Sequence, residues 1–79
     1  MKLQLYFHHE CGFSRSVLNT INNLKIQDKI ELKNIRENPE FEKTLIEIMG
    51  DKQVPTLIVD EKPMRESEDI KKFLIKSFL

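Results

Sequence analysis

Seventy-nine residues, 39% of them hydrophobic and 33% charged, suffice for one small domain with a thin core, and residues 1–79 are expected to form one. Thirteen basic and thirteen acidic side chains cancel, so no general field draws the chain to nucleic acid or to a membrane surface. No stretch approaches the roughly 20 apolar residues that span a bilayer, and a single cysteine, Cys11, excludes both a disulfide-stapled scaffold and a four-cysteine zinc site.

The opening segment Met1–Phe7 lacks the continuous apolar run of a signal peptide, so a cytoplasmic location is expected. Leu3, Leu5 and Phe7 recur at period two with Tyr6 between them, which predicts a strand covered on both faces. The polar run His8 to Gly12 breaks it. Val17, Leu18, Ile21 and Leu24 then fall at helical spacing and predict a helix over Phe13–Leu24. Ile30 to Ile35 alternates apolar with polar and predicts a second strand.

Asn38-Pro39-Glu40 carries the signals of a helix start: a side chain that caps, a proline suited to the first turn, and an acid matched to the helix dipole. Phe41, Leu45, Ile48 and Met49 are expected to form its buried face, and Gly50 to end it. Thr56–Val59 is a wholly apolar run suited to a central strand. Asp60-Glu61-Lys62 turns the chain toward a brief strand at Pro63-Met64. Ser67-Glu68-Asp69 opens a last helix with Ile70, Phe73 and Leu74 inward and Phe78 adding to them. The order is βαβ followed by ββα, which predicts an α/β fold with a four-stranded mixed sheet flanked by three helices.

Cys11 falls where the first strand gives way to the first helix. Unpaired N–H groups and the positive end of the helix dipole both favour a thiolate there. Gly12 allows a tight turn beside the sulfur, Phe13 would shield one side of it, Ser14 would offer a hydroxyl, and Arg15 adds positive charge. His8 and His9 suggest a Cys–His hydrolase. However, adjacent residues leaving a strand point in opposite directions, and no third group accompanies them, so a solvent-facing or substrate-contacting role is the better reading. No metal site is expected.

Pro55 stands directly before a central strand, where a proline is tolerated. Residue type alone favours a trans Val54–Pro55 bond, since cis occurs in about 5–6% of such bonds. A cis bond would turn the Val54 N–H and C=O toward an extended, peptide-like ligand. At the last helix, the open N–H groups with Ser67 suit a carboxylate, and a neighbouring acid suits an ammonium, so an α-amino acid end would fit. Plain capping of the helix by Ser67 explains the same residues.

These segments together resemble the glutaredoxins. The features are Cys11-Gly12-Phe13-Ser14 after the first strand, Gln53-Val54-Pro55-Thr56-Leu57 before the third, and Met64-Arg65-Glu66-Ser67-Glu68-Asp69-Ile70 at the last helix. They are most similar to bacterial glutaredoxins whose redox domain is like the N-terminal domain of glutathione transferases. The likeness runs from about Lys2 to Leu74.

The resemblance implies a thioredoxin-like fold, a cis bond before Pro55, and glutathione as co-substrate. It implies Cys11 as the nucleophile, backbone pairing of glutathione with Val54, and its γ-glutamyl end at Glu66, Ser67 and the Glu68 N–H. Gln53 or Lys52 would reach the glycine carboxylate, with His8, Phe13 and Pro55 also bordering the site. Many relatives carry a second cysteine where Ser14 stands and a lysine where His8 stands. Lacking that cysteine, the chain is left with a monothiol route, and His8 makes one positive contact weaker or pH-dependent.

The implied activity is removal of glutathione from glutathionylated proteins or small disulfides by a monomeric oxidoreductase. The alternative implied by Cys-Gly-Phe-Ser is a [2Fe-2S] cluster held between two subunits by two such cysteines and two glutathiones.

Overall fold

In a computed structural model that describes residues 1–79, the alternating segment near the start forms strand β1 (Leu3–Phe7), an interior strand of a four-stranded sheet. Helix α1 (Gly12–Leu24) follows, then a short 3₁₀ turn (Gln27–Lys29) and strand β2 (Glu31–Asn34). Helix α2 (Pro39–Met49), strands β3 (Thr56–Val59) and β4 (Lys62–Met64), and helix α3 (Ser67–Phe78) complete the order. The sheet runs β2-β1-β3-β4, with β1 parallel to β2 and antiparallel to β3, and β3 antiparallel to β4. This is the mixed sheet with three helices that the sequence predicts, in a thioredoxin-like arrangement.

Period two within β1 divides the core. Leu3, Leu5 and Phe7 face one side, where they pack with Val17 and Ile21 of α1, Ile70 and Leu74 of α3, and Leu57 of β3. Tyr6 faces the other side and packs with Ile35, Ile58 and Leu45 of α2. Both faces of β1 are therefore covered, as its lack of a polar stripe requires. Fully burying each such side chain is worth about 1.5–3 kcal/mol. Leu45 is the one fully buried residue of α2, and its truncation to Ala is expected to cost about 2–5 kcal/mol.

The helix ends follow local chemistry. Asn38 caps α2 by accepting from the Glu40 N–H at 2.9 Å, and Gly50 closes it at φ 78°. Helix α1 ends on Lys25, whose left-handed backbone returns its N–H to Asn22 and Ile21.

Two expectations about burial need correction. Ile48 is 46% exposed: Phe41, Leu45 and Met49, four residues apart, make the inward stripe of α2, and Ile48 falls outside it. Leu32 is 40% exposed because β2 is an edge strand, so the neighbour that would cover it is missing on one side. The strand predicted over Ile30–Ile35 does form, but its burial does not alternate: Glu31 and Leu32 are exposed, Lys33 is half-buried and Asn34 is buried, while Ile30 and Ile35 enter opposite core clusters.

Candidate functional site

Cys11 is the N-cap residue of α1, in extended conformation (φ −92°, ψ 120°), and its side chain makes no cap hydrogen bond. The first helical N–H to find a backbone partner is that of Arg15, which donates to the Cys11 carbonyl at 3.0 Å. The amides before it therefore remain open beside a half-buried sulfur. Partial burial pushes the thiol's pKa up. That effect is outweighed by the Ser14 N–H, the Ser14 hydroxyl, the Phe13 N–H and the Arg15 charge, and the net shift is downward. The Ser14 hydroxyl lies fully buried without a formed hydrogen bond, so the backbone amides carry the larger share. Arg15 is held over this turn by donating to the His9 carbonyl at 2.9 Å.

Across from the sulfur runs the segment before β3. The Val54–Pro55 bond is cis, as the family resemblance implies and residue type alone did not. Neither the N–H nor the C=O of Val54 pairs with another backbone group; the Cys11 thiol approaches that C=O at 3.8 Å. Thr56, fully buried at the entrance to β3, donates its hydroxyl to the Gln53 carbonyl at 2.8 Å and so fixes the turn.

The opening of α3 departs from the expectation of a Ser67 cap. Glu66 is the N-cap residue, with a left-handed φ of 71°, and no side chain caps the helix. Ser67 is already within the helix, and the first paired amide is that of Ile70, on the Glu66 carbonyl at 3.0 Å. An uncapped helix start presents several N–H groups and the positive end of a dipole. Phe13, Gln53, Val54, Pro55, Glu66 and Ser67 together line a cleft of about 130 Å³. A larger groove of about 560 Å³, lined by Lys2, Gln4, Ile48, Ile58, Asp60 and Glu61, lies at the opposite end of the sheet and contains no nucleophile.

Six of the nine residues predicted for the site thus border one cleft, and Cys11 adjoins it through Val54. Phe13 is 68% exposed and forms a rim of the cleft more than a shield over the sulfur. The Glu68 carboxylate turns away to Lys71 at 3.0 Å, which leaves only its amide for the role predicted. His8 does not line the cleft. Its Nδ1 is buried without a partner, and its pKa is lowered by burial first and by the Arg36 charge second, against the opposing pull of Glu10. Lys52 points to Glu42 at 3.9 Å. Sequence reasoning assigned no role to Asp51, or to Arg65, which lies inside the segment Met64–Ile70 but was given no function there.

The Glutaredoxin family model matches residues 2–64. No curated protein matches by sequence. Among solved structures, the unclassified glutathione S-transferase 2 of Bombyx mori superposes with a TM-score of 0.81 at 22% identity, over 99% of this chain and 36% of that one. The Omega 3C glutathione transferase of Trametes versicolor gives 0.78 at 23% identity, over 99% and 34% respectively. A glutathione transferase homologue from sulfitobacter, solved with bound glutathione, gives 0.75 at 16% identity, over 98% and 37%. The chain thus spans about a third of the length of these transferases, and at such identities the likeness is one of fold.

Proposed function

The chain belongs to the glutaredoxin family, and on that premise we propose that it is a monothiol, glutathione-dependent thiol–disulfide oxidoreductase of the cytoplasm that removes glutathione from mixed disulfides. The observation that carries the reading is the 3.8 Å approach of the Cys11 sulfur to the Val54 carbonyl, a wall of the cleft that the open end of α3 also borders.

The Cys11 thiolate attacks the glutathione sulfur of a mixed disulfide. A new bond forms between Cys11 and glutathione, and the substrate sulfur leaves as a thiolate that takes a proton from water. A second glutathione, as thiolate, attacks the glutathione sulfur bound to Cys11. It departs as glutathione disulfide and returns Cys11 to its anionic form. The open amides of α1 stabilise the attacking anion at the start and receive it again at the end. In this reading the unpaired Val54 backbone pairs with the cysteinyl part of glutathione. The Ser67 hydroxyl and the amides of Ser67 and Glu68 hold its γ-glutamyl carboxylate, and the Glu66 carboxylate holds the ammonium.

Turnover of a small glutathionylated disulfide, absent in Cys11→Ser, is the expected result. Full activity in that variant would refute the proposal. The cluster-carrying alternative asks the same sulfur to bind iron, and Cys11 is the one thiolate the chain supplies to it. Anaerobic reconstitution to a brown, glutathione-dependent dimer would rank that reading above the first.

A further inference from the structure

We propose that Arg65 is a positioning residue that ties the two walls of the cleft together and so sets the affinity for the glutathione part of the substrate. The inference rests on the reading of the cleft as a glutathione site.

Arg65 stands immediately before Glu66, at the entrance to α3. Its guanidinium uses all three nitrogens within the chain. Nε donates to Thr56 Oγ1 at 3.2 Å, Nη1 donates to Asp51 Oδ2 at 3.0 Å, and Nη2 donates to Asp51 Oδ1. Asp51 Oδ1 also accepts from the Gln53 N–H at 3.0 Å, and Thr56 Oγ1 donates to the Gln53 carbonyl. One planar fork thereby grips Gln53 indirectly from both its N–H and its C=O sides. Gln53 and Val54 form one wall of the cleft, and Glu66 and Ser67 form the other. The hydrogen bond from Arg65 holds the Asp51 carboxyl down to about 2, so the pair stays ionised throughout the working range. Bidentate geometry distinguishes this pair from an ordinary surface contact.

A ligand spanning both walls gains affinity when their separation is fixed beforehand, since no ordering cost remains to be met on binding. The attacking sulfur sits at the start of α1, outside the hydrogen bonds of the fork, and meets this wall only through the long 3.8 Å contact with the Val54 carbonyl. Loss of the fork is therefore expected to appear in KM and not in kcat.

The test uses the full chain and the mixed disulfide of glutathione with 2-mercaptoethanol, comparing Arg65→Gln, Asp51→Asn, their combination and Arg65→Lys. KM is expected to rise about fivefold in either single variant, the upper range for an exposed pair with good geometry, while kcat stays within about twofold. The double variant should be no worse than the singles, because both break one unit. Lysine keeps the charge without the fork and should not restore KM. The pH profile of Cys11 alkylation should be unmoved.

An unchanged KM in Arg65→Gln would overturn the proposal. So would restoration by lysine, or a raised KM in Arg65→Gln alone with Asp51→Asn unaffected, either of which would make Arg65 a direct contact to substrate. Asp51 is exposed, so Asp51→Asn decides the matter if an Arg65 variant does not fold. A wild-type chain that does not turn over the mixed disulfide at all would instead refute the glutathione reading itself.

Discussion

The Cys11 sulfur and the Val54 carbonyl oxygen lie 3.8 Å apart, although one belongs to the start of α1 and the other to the segment entering β3. In the thiol form this is a long S–H···O contact. Once the proton leaves, the same oxygen repels the sulfur, and the anion turns to the amides of Phe13 and Ser14. The site thus offers a partner to each protonation state of one atom.

The first prediction concerns that proton. The Cys11 pKa lies below its ordinary value, because the Ser14 and Phe13 amides, the Ser14 hydroxyl and Arg15 together outweigh the cost of partial burial. Alkylation by iodoacetamide should rise with pH and reach half its maximum at a lower pH in the folded chain than in the same chain unfolded in urea. Arg15→Gln should shift that midpoint upward. Since the folded state favours the anion, stability gained from this group is full above the unfolded pKa and is lost as pH falls through the folded one. A midpoint at or above that of the unfolded chain would refute the account.

Ser14 provides a second test. Its hydroxyl is buried without a formed hydrogen bond, and an unpaired buried hydroxyl costs about 1–3 kcal/mol relative to a paired one. Ser14→Ala is therefore expected to leave stability unchanged or raise it by up to about 1 kcal/mol, as read by urea denaturation. The same variant should raise the Cys11 pKa, because one group favouring the thiolate is gone. Destabilisation with an unmoved pKa would show that the hydroxyl serves something other than the sulfur.

Element types were legible because each is written locally. Leu3, Leu5 and Phe7 announce a strand by period two, and Asn38-Pro39 announces a helix by its cap. Burial at the sheet edge was less legible: Leu32 fits the alternation in sequence, yet the edge position of β2 depends on strand order, a tertiary property. In the site, Cys11, Val54 and Ser67 could be named because each sits beside a turn or helix start with characteristic neighbours. Arg65 could not, because its partners Asp51 and Thr56 are brought to it only by the turn into β3 and the β3–β4 hairpin. The cap of α3 misled for a related reason. Serine is the preferred capping type, but Glu66 holds that position through a left-handed backbone that residue preference argues against.

His8 gives a pH prediction of the same sign in a lower window. Burial, then the Arg36 charge, lowers its pKa below 6.5, so the folded chain resists its protonation. Stability linked to His8 is complete above about 6.5 and is lost as pH falls toward the folded value, because the unfolded chain takes the proton first. Urea denaturation at pH 7.5 and 5.5 should show a smaller acid loss in His8→Asn than in the wild type. Equal losses in the two proteins would place the acid sensitivity elsewhere.

Two exposed glutamates with left-handed backbones should respond differently to glycine. Glu61 (φ 75°) occupies the β3–β4 turn, and Glu66 (φ 71°) the entrance to α3. Neither side chain makes a hydrogen bond or ion pair within the chain, and a side chain at such angles costs about 1–2 kcal/mol that glycine avoids. After the entropy that glycine loses on folding, each substitution should stabilise by about 0.5–1 kcal/mol. At Glu61 that gain should come without loss of turnover, because the turn lies at the end of the sheet remote from Cys11. At Glu66 the removed carboxylate is the one assigned to the ammonium of glutathione, so the more stable protein should show a raised KM for the mixed disulfide. Backbone strain kept at a binding position and relieved at a cost in function is the expected pattern for a working site. A Glu66→Gly protein that is both more stable and equally active would mean that the strained residue has no part in recognising substrate.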